Sequence, residues 1–223
     1  IPRSVNMTIK DSPFSPNGDN VKDTLAITPV MSNATGLISW KIETLDKAGK
    51  ILKAWKGTTE PPTVFDYDGK DSNGIVLADG DYPLKYQAQF NNGQESVITR
   101  NFSIDKTAPS AFVKTNNSIF SPDGDGRLDT IEIFQETSKE KAWFAEILDA
   151  TGKVVKSYEY GEIPPASITW DGTTSENQIN DGFYTYKLFA TDLAGNVGQA
   201  ITNTFELNTG TTEVLLSVSE KAF

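Results

Sequence analysis

Apolar and polar residues alternate with a period of two along most of this chain. Tyr82, Leu84, Tyr86, Ala88 and Phe90 are interleaved with Pro83, Lys85, Gln87 and Gln89, and Tyr184, Tyr186, Leu188 and Ala190 form a matching run. Ile38, Trp40 and Ile42 alternate with Ser39, Lys41 and Glu43 in the same way. Successive side chains of a strand point to opposite faces, so such runs predict antiparallel strands with one buried and one wet face. No segment has the 3.6-residue spacing of an amphipathic helix. Gly, Pro, Asn and Asp turn signals divide the runs into short strands. These are expected near 4–10, 24–30, 38–45, 51–56, 64–67, 82–90 and 95–104, then near 110–116, 130–135, 142–149, 153–159, 167–170, 183–190 and 198–207, with one more near 213–219.

The strand list repeats because the sequence does. Phe14-Ser15-Pro16-Asn17-Gly18-Asp19-Asn20-Val21-Lys22-Asp23 returns 106 residues later as Phe120-Ser121-Pro122-Asp123-Gly124-Asp125-Gly126-Arg127-Leu128-Asp129. Trp40 answers to Trp143, Tyr67-Asp68-Gly69 to Trp170-Asp171-Gly172, and Asp79-Gly80-Asp81-Tyr82 to Asp181-Gly182-Phe183-Tyr184. Seven short strands in about 100 residues predict an all-β fold, two tandem immunoglobulin-like or fibronectin-III-like antiparallel β-sandwiches. The expected boundaries are 1–106 for the first repeat, 107–210 for the second, and 211–223 for the first strand of a truncated third, with Phe223 standing where its motif begins. The chain is therefore expected to be a piece of a longer array. The short join Asp105-Lys106-Thr107-Ala108-Pro109 predicts a semi-rigid, end-to-end arrangement. Trp40 and Trp143 are expected as core residues of the third strand. Tyr82 and Tyr184 follow a Gly turn, where a tyrosine corner would hydrogen-bond back to nearby backbone.

Composition narrows the chemistry. The chain has 223 residues, no Cys and no His. Disulfides, thiolate metal sites, Ser/His/Asp and Cys/His catalysis and the usual zinc ligands are excluded. No apolar run is long enough to span a membrane. The net charge is −10 and uneven: residues 1–106 carry 12 Lys/Arg against 13 Asp/Glu, and residues 107–223 carry 8 against 17. An acidic surface repels phosphate backbones, so no nucleic-acid partner is expected.

The candidate site is the repeated acidic loop: Asn17, Asp19 and Asp23 in the first copy, and Asp123, Asp125 and Asp129 in the second. Hard oxygen donors at alternate positions, with Gly permitting a tight loop, suit calcium, which takes six to eight oxygens. The bidentate Glu of an EF-hand is missing, and Arg127 opposes a tight ion site. The same residues suit a purely structural loop, in which Asx side chains accept their own downstream N–H groups. Calcium is the one cofactor the pattern admits. A second acidic group, Asp66, Asp68, Asp71, Asp79 and Asp81, has only Asp171, Glu176 and Asp181 as counterparts. Paired carboxylates serve glycosidases, but Asp-Gly is foremost a turn signal, and no enzyme is expected. Trp55 suits either sugar stacking or core packing.

Two sets of residues carry a family likeness. Trp170-Asp171-Gly172, Asn180-Asp181-Gly182-Phe183-Tyr184-Thr185-Tyr186 and Ala190-Thr191-Asp192-Leu193-Ala194-Gly195-Asn196 resemble the Ig-like domain of bacterial flagellar hook-capping proteins. The Phe-Ser-Pro-Asn/Asp-Gly-Asp loop resembles the start of related Ig-like repeats in large exported bacterial proteins, including gliding-motility and secretion-associated C-terminal modules. The first repeat departs from the pattern, with Tyr67 for the Trp and Phe90-Asn91-Asn92-Gly93 for the ending. The resemblance implies a β-sandwich in an extracytoplasmic setting: periplasm, cell surface or secreted. The expected role is a non-catalytic spacer and protein-interaction scaffold, with neighbouring repeats and other surface or envelope proteins as partners. The alternative is a calcium-dependent adhesin or carbohydrate-binding module.

Overall fold

The computed structural model describes residues 3–210, so the expected strand near 213–219 and Phe223 lie outside the described residues. It divides into two compact units, Ile1–Ala108 with Thr191–Val197, and Pro109–Ala190 with Gly198–Phe223. Strand dominates, and no helix occurs among the described residues. Among the described residues, no helix is long and apolar enough to cross a membrane.

In unit 1 the strands are β1 (Val5–Lys10), β2 (Leu25–Met31), β3 (Leu37–Leu45), β4 (Ile51–Gly57), β5 (Phe65–Tyr67), β6 (Gly80–Phe90) and β7 (Glu95–Ile104). They form two antiparallel sheets, β1-β2-β5 and β4-β3-β6-β7. The period-two runs do what their pattern dictates. Leu84, Tyr86, Ala88 and Phe90 of β6 point inward and meet Val5, Met7, Leu25 and Ile27 from the other sheet. Burying such a side chain contributes about 1.5–3 kcal/mol. Trp40 is buried on β3 and donates its indole N–H to Thr59 O at 2.6 Å. Trp55 packs inward, its ring centroid 5.1 Å from both Phe65 and Tyr67, so it is a core aromatic.

Unit 2 contains β8 (Ala111–Thr115), β9 (Ile119–Phe120), β10 (Ile131–Thr137), β11 (Trp143–Asp149), β12 (Val154–Tyr160), β13 (Ser167–Trp170), and β16 (Phe205–Leu207), with the bulk of β14 (Gly182–Thr191) and β15 (Val197–Ile201). One sheet is β13-β10-β8, and the other runs β12-β11-β14-β16-β9 with β15 also beside β14. Trp143, Trp170, Phe120, Phe205, Tyr186 and Leu188 fill the core. A buried polar chain crosses it: Tyr186 OH donates to Gln135 Oε1 at 2.7 Å and lies 3.1 Å from Tyr160 OH, and Gln135 Nε2 donates to Pro165 O at 2.8 Å.

Two features differ from the expected strand list. The motif phenylalanines pair in parallel with the last strand of their own unit. Phe14 bridges Ile104, and β9 pairs β16 with Phe120 opposite Leu207. The chain thus leaves the first sheet and joins the second just before the acidic loop. The expected strand 198–207 is split, because Thr202 takes over part of the ladder. Its hydroxyl accepts from Tyr186 N–H at 2.9 Å, and the exposed residues Asn203 and Thr204 separate β15 from β16. Both tyrosine corners are present: Tyr82 OH donates to Ala78 O at 2.8 Å and Tyr184 OH to Asn180 O at 2.7 Å.

Candidate acidic loops

Each motif forms a closed loop whose backbone alternates in hand. In unit 1, Gly18, Asn20 and Lys22 have φ of 87°, 68° and 50°; in unit 2, Gly124, Gly126 and Leu128 have φ of 82°, 83° and 54°. Every second residue is left-handed, at equivalent positions in both copies. This is why Gly and Asn recur there: L-residues with a Cβ are strained in that region. Ser15 N–H donates to Lys22 O at 2.9 Å and Ser121 N–H to Leu128 O at 2.7 Å, closing each loop.

The alternation turns backbone N–H groups toward the side chains between them. Asp23 accepts Gly18 N–H and Asn20 N–H, both at 2.7 Å. Asp129 accepts Gly124 N–H at 2.8 Å and Gly126 N–H at 2.9 Å. Asn17 Oδ1 accepts Asp19 N–H at 3.0 Å and Asp19 Oδ1 accepts Val21 N–H at 2.7 Å. Asp123 Oδ1 and Asp125 Oδ1 repeat this with Asp125 N–H at 3.1 Å and Arg127 N–H at 2.7 Å. All six candidate residues are thus gathered by their own loops, and each is an Asx acceptor.

The base of each loop is packed. Gly69 and Gly172, both at positive φ, sit where a Cβ would press on Pro16 and Phe14 in unit 1 and on Leu207 and Pro122 in unit 2. The motif's Pro is therefore a lid on the opposing Asp-Gly turn. Asn196, the last residue of the Ala190–Asn196 family likeness, is 3% exposed in unit 1. Its Oδ1 lies 2.6 Å from Ser15 Oγ, and its Nδ2 donates to Asp105 O at 2.9 Å. That likeness marked its position in the sequence but named no chemistry for it.

The second loop brings Asp123, Asp125 and Asp129 together, with one carboxylate oxygen from each within 4.8 Å of the others. In the first loop Asn17 replaces one carboxylate. A carboxylate oxygen that accepts one N–H keeps a further lone pair, so the donor set fits a calcium ion, with waters or carbonyls completing six to eight ligands.

The other carboxylates have separate local duties. Asp68 pairs with Lys70 at 3.1 Å. Asp71 accepts Ile75 N–H at 2.9 Å and Asn73 N–H at 2.8 Å; the Ile75 bond leads in holding its carboxyl below the ordinary range. Asp171 is lowered chiefly by Thr173 N–H at 2.9 Å. Asp81 accepts from Ser103 Oγ at 2.5 Å, and Asp66 lies on β5 opposite Ala26. Asp68, Asp71 and Asp171 thus accept N–H groups of their own turns, while Asp66 and Asp81 lie on β5 and β6.

Residues 123–193 match the family described as the FlgD Ig-like domain. This bears out the resemblance carried by Trp170-Asp171-Gly172 and Asn180–Tyr186. No curated protein sequence matches the chain. Among solved structures, the tetra-tandem repeat in the extending region of a large adhesion protein is 21% identical, with 93% of this chain covering 50% of that one, at a TM-score of 0.37. A 1.5-MDa bacterial ice-binding adhesin is 14% identical over 94% of this chain and 66% of its own, at 0.48. The fibronectin(III)-like modules of Clostridium thermocellum CbhA are 14% identical over 91% and 93%, at 0.42. The chain spans half the length of the first of these and 66% of the second.

Proposed function

We propose that this chain is a non-catalytic stretch of tandem Ig-like repeats from an exported bacterial protein, a load-bearing spacer and interaction scaffold in a surface, periplasmic, flagellar or secretion assembly. The observation that carries the reading is the parallel pairing of first and last segments in each unit. Phe14 N–H donates to Ser103 O at 3.1 Å and Asp105 N–H to Phe14 O at 3.0 Å. Glu206 N–H donates to Ser118 O at 2.8 Å and Asn208 N–H to Phe120 O at 3.1 Å. Tension on the two ends of a unit draws parallel neighbours past one another, so these bonds share the load and break together instead of unzipping singly. The acidic loop follows immediately and, closed by its own carboxylates, keeps the motif Phe seated in the core.

Single-molecule stretching of the chain tests this. Two separate unfolding events are expected, each releasing about 300 Å from the roughly 90 residues between the paired segments. Smooth extension without force peaks would overturn the load-bearing role. A second reading, calcium-dependent stiffening of the second repeat, is favoured by the Asp123–Asp125–Asp129 cluster. A rise in the melting temperature of unit 2 at millimolar calcium, absent in Asp125→Asn, is its expected signature; an unchanged melt removes it.

A further inference from the structure

The acidic loop of unit 1 holds a turn from far along the chain. Thr191–Val197 packs as part of unit 1, and its turn Asp192-Leu193-Ala194-Gly195-Asn196 fixes its own shape. Asp192 Oδ1 accepts Asn196 N–H at 2.9 Å, and Oδ2 accepts Asn196 Nδ2 at 2.8 Å. The Asn196 amide is therefore set in place by its own turn, at no further entropic cost on docking. Ser15 Oγ donates to Asn196 Oδ1 at 2.6 Å, Asn196 Nδ2 donates to Asp105 O at 2.9 Å, and Lys22 Nζ donates to Leu193 O at 2.7 Å. Gly195, at φ of 95°, lies so near Val21 that a Cβ there would stand 2.7 Å from Val21 Cγ1. Ser15 and Ala194 are buried.

The side chains of the turn, more than its backbone, are what the loop receives. The corresponding turn of the first repeat, Phe90 to Gln94, closes with the same two backbone bonds, Phe90 N–H to Gln94 O at 2.9 Å and Gly93 N–H to Phe90 O at 3.0 Å. Yet Phe90 is a core residue where Asp192 stands, and Gln94 turns its amide to Arg3 O at 2.8 Å. That turn has no fixed Asn amide to offer.

Unit 2 repeats the receiving face. Ser121 N–H donates to Leu128 O at 2.7 Å and Asn208 N–H to Phe120 O at 3.1 Å, as Ser15 N–H does to Lys22 O at 2.9 Å and Asp105 N–H to Phe14 O at 3.0 Å. These shared bonds make Ser121 the equivalent of Ser15 and Asn208 that of Asp105. Ser121 is half-buried, and its hydroxyl reaches only Asp123 Oδ2, at 3.5 Å. Asn208 O accepts no hydrogen bond among the described residues. Val21 and Lys22 are replaced by the exposed Arg127 and Leu128, one cation and one aliphatic chain in the reverse order. One partner differs in kind: Asn17 Nδ2 lies 3.4 Å from Asn196 Oδ1, and Asp123, in its place, has no proton to donate.

We propose that this face of unit 2 is a docking site for an Asp-x-Ala-Gly-Asn turn of another Ig-like repeat in the same array, an inference that rests on the tandem-repeat reading above. The Ser121 hydroxyl and Asn208 O take the two ends of the Asn amide. Arg127 donates to the carbonyl that Lys22 serves in unit 1, and Leu128 covers the turn glycine in place of Val21. A second copy of this chain is the poorer occupant, because its own turn is already seated on its Ser15. The acidic loop then has a purpose beyond closing on itself: its Asx bonds hold the receiving face in shape.

Amide chemical-shift mapping of the whole ¹⁵N-labelled chain tests this, with a head-to-tail cyclised hairpin of residues 188–200 whose cross-strand contacts show the turn to be formed. Saturable shifts are expected at Ser121, Leu128 and Asn208. The same peptide with Asn196→Ala should bind about fivefold more weakly, and so should the peptide to the Ser121→Ala chain at an unchanged melting temperature, each losing a hydrogen bond. Asp123→Asn should tighten binding by restoring the donor that Asn17 supplies. Undiminished binding of the Asn196→Ala peptide, or undiminished binding by Ser121→Ala, would overturn the proposal. So would shifts confined to Ser15 and Asp105, or no saturable shifts at all. Two unfolding events on stretching, without peptide binding, would leave the array reading standing and remove only this docking site.

Discussion

Removing the Asp129 carboxylate isolates the work of the acidic loop. Asp129→Ala deletes acceptors for two backbone N–H groups, at 2.8 and 2.9 Å, and changes no core contact. A side-chain acceptor capping a helix N-terminus contributes about 0.5–2 kcal/mol per residue. Hydrogen bonds to charged groups reach about 1.5–3 kcal/mol, but this loop is solvent-exposed, so water recovers part of the loss. A cost of about 1–2 kcal/mol follows. For a domain near 100 residues, each kcal/mol moves the melting temperature by about 4–8 °C, so the unit 2 transition should fall by roughly 5–15 °C. Asp123→Ala and Asp125→Ala each remove one such N–H bond and should cost about half as much. Differential scanning calorimetry in EDTA resolves the order. A shift under about 2 °C for Asp129→Ala would refute the claim that the carboxylate holds the loop. Equal effects of all three substitutions, seen only with calcium present, would instead assign the energy to an ion.

Three further outcomes are expected. Tyr184→Phe removes the corner bond to Asn180 O and should cost about 1 kcal/mol in urea denaturation, and Tyr82→Phe, whose hydroxyl is more exposed, should cost less; an equal or reversed order would count against burial as the cause. Gly126→Asn should be nearly neutral, because Asn20 holds the same left-handed conformation in the first loop, whereas Gly126→Val should cost about 1–2 kcal/mol, both read from chemical denaturation. Stability should be flat between about pH 5 and 9, since no His is present to titrate. Asp149, lowered chiefly by the Thr151 hydroxyl, and Asp71 and Asp171 have folded pKa values below 3.8, so their stabilisation is present above that value and is lost as pH falls through the folded pKa. Burial raises Tyr67 and Tyr86 from 10.0 to about 12, so their stabilisation is full below pH 10 and is lost as pH rises to 12. A melting temperature that changes between pH 5 and 9, or holds below pH 3, would contradict this assignment.

The sandwich was legible because its strands are long and half-buried. Tyr82 to Phe90 could not alternate so strictly on a helix, and the structure places the run in β6 with Leu84, Tyr86, Ala88 and Phe90 buried. The parallel pairing was not legible, because Ile119–Phe120 is a two-residue strand and two residues have no period. The break between β15 and β16 was hidden for another reason. A threonine hydroxyl stands in for a backbone group at Thr202, and Thr is an ordinary strand residue.

The acidic loop shows where one-dimensional reading reaches its physical limit. Alternate Asx residues with Gly between them are what an ion requires, and also what a self-closing loop requires, because both need oxygens converging on a tight backbone. The fold breaks the degeneracy in part by showing where each oxygen goes. Asp23 and Asp129 each hold two N–H groups of their own loops, which the Asn-Gly-Asp and Asp-Gly-Asp spellings alone do not reveal. Lys22 and Leu128 carry the alternation further, at φ of 50° and 54°, although neither residue favours a left-handed backbone. Those two residues must be held there by the hydrogen bonds that close the loop on Ser15 and Ser121, so strain and closure are coupled. It follows that Leu128→Gly should stabilise the second loop by relieving the strained φ, offset by the entropy that Gly adds to the unfolded chain. A net gain of up to about 1 kcal/mol in chemical denaturation is expected, and a loss greater than about 1 kcal/mol would show that the Leu128 side chain, 52% exposed, does more than tolerate its backbone.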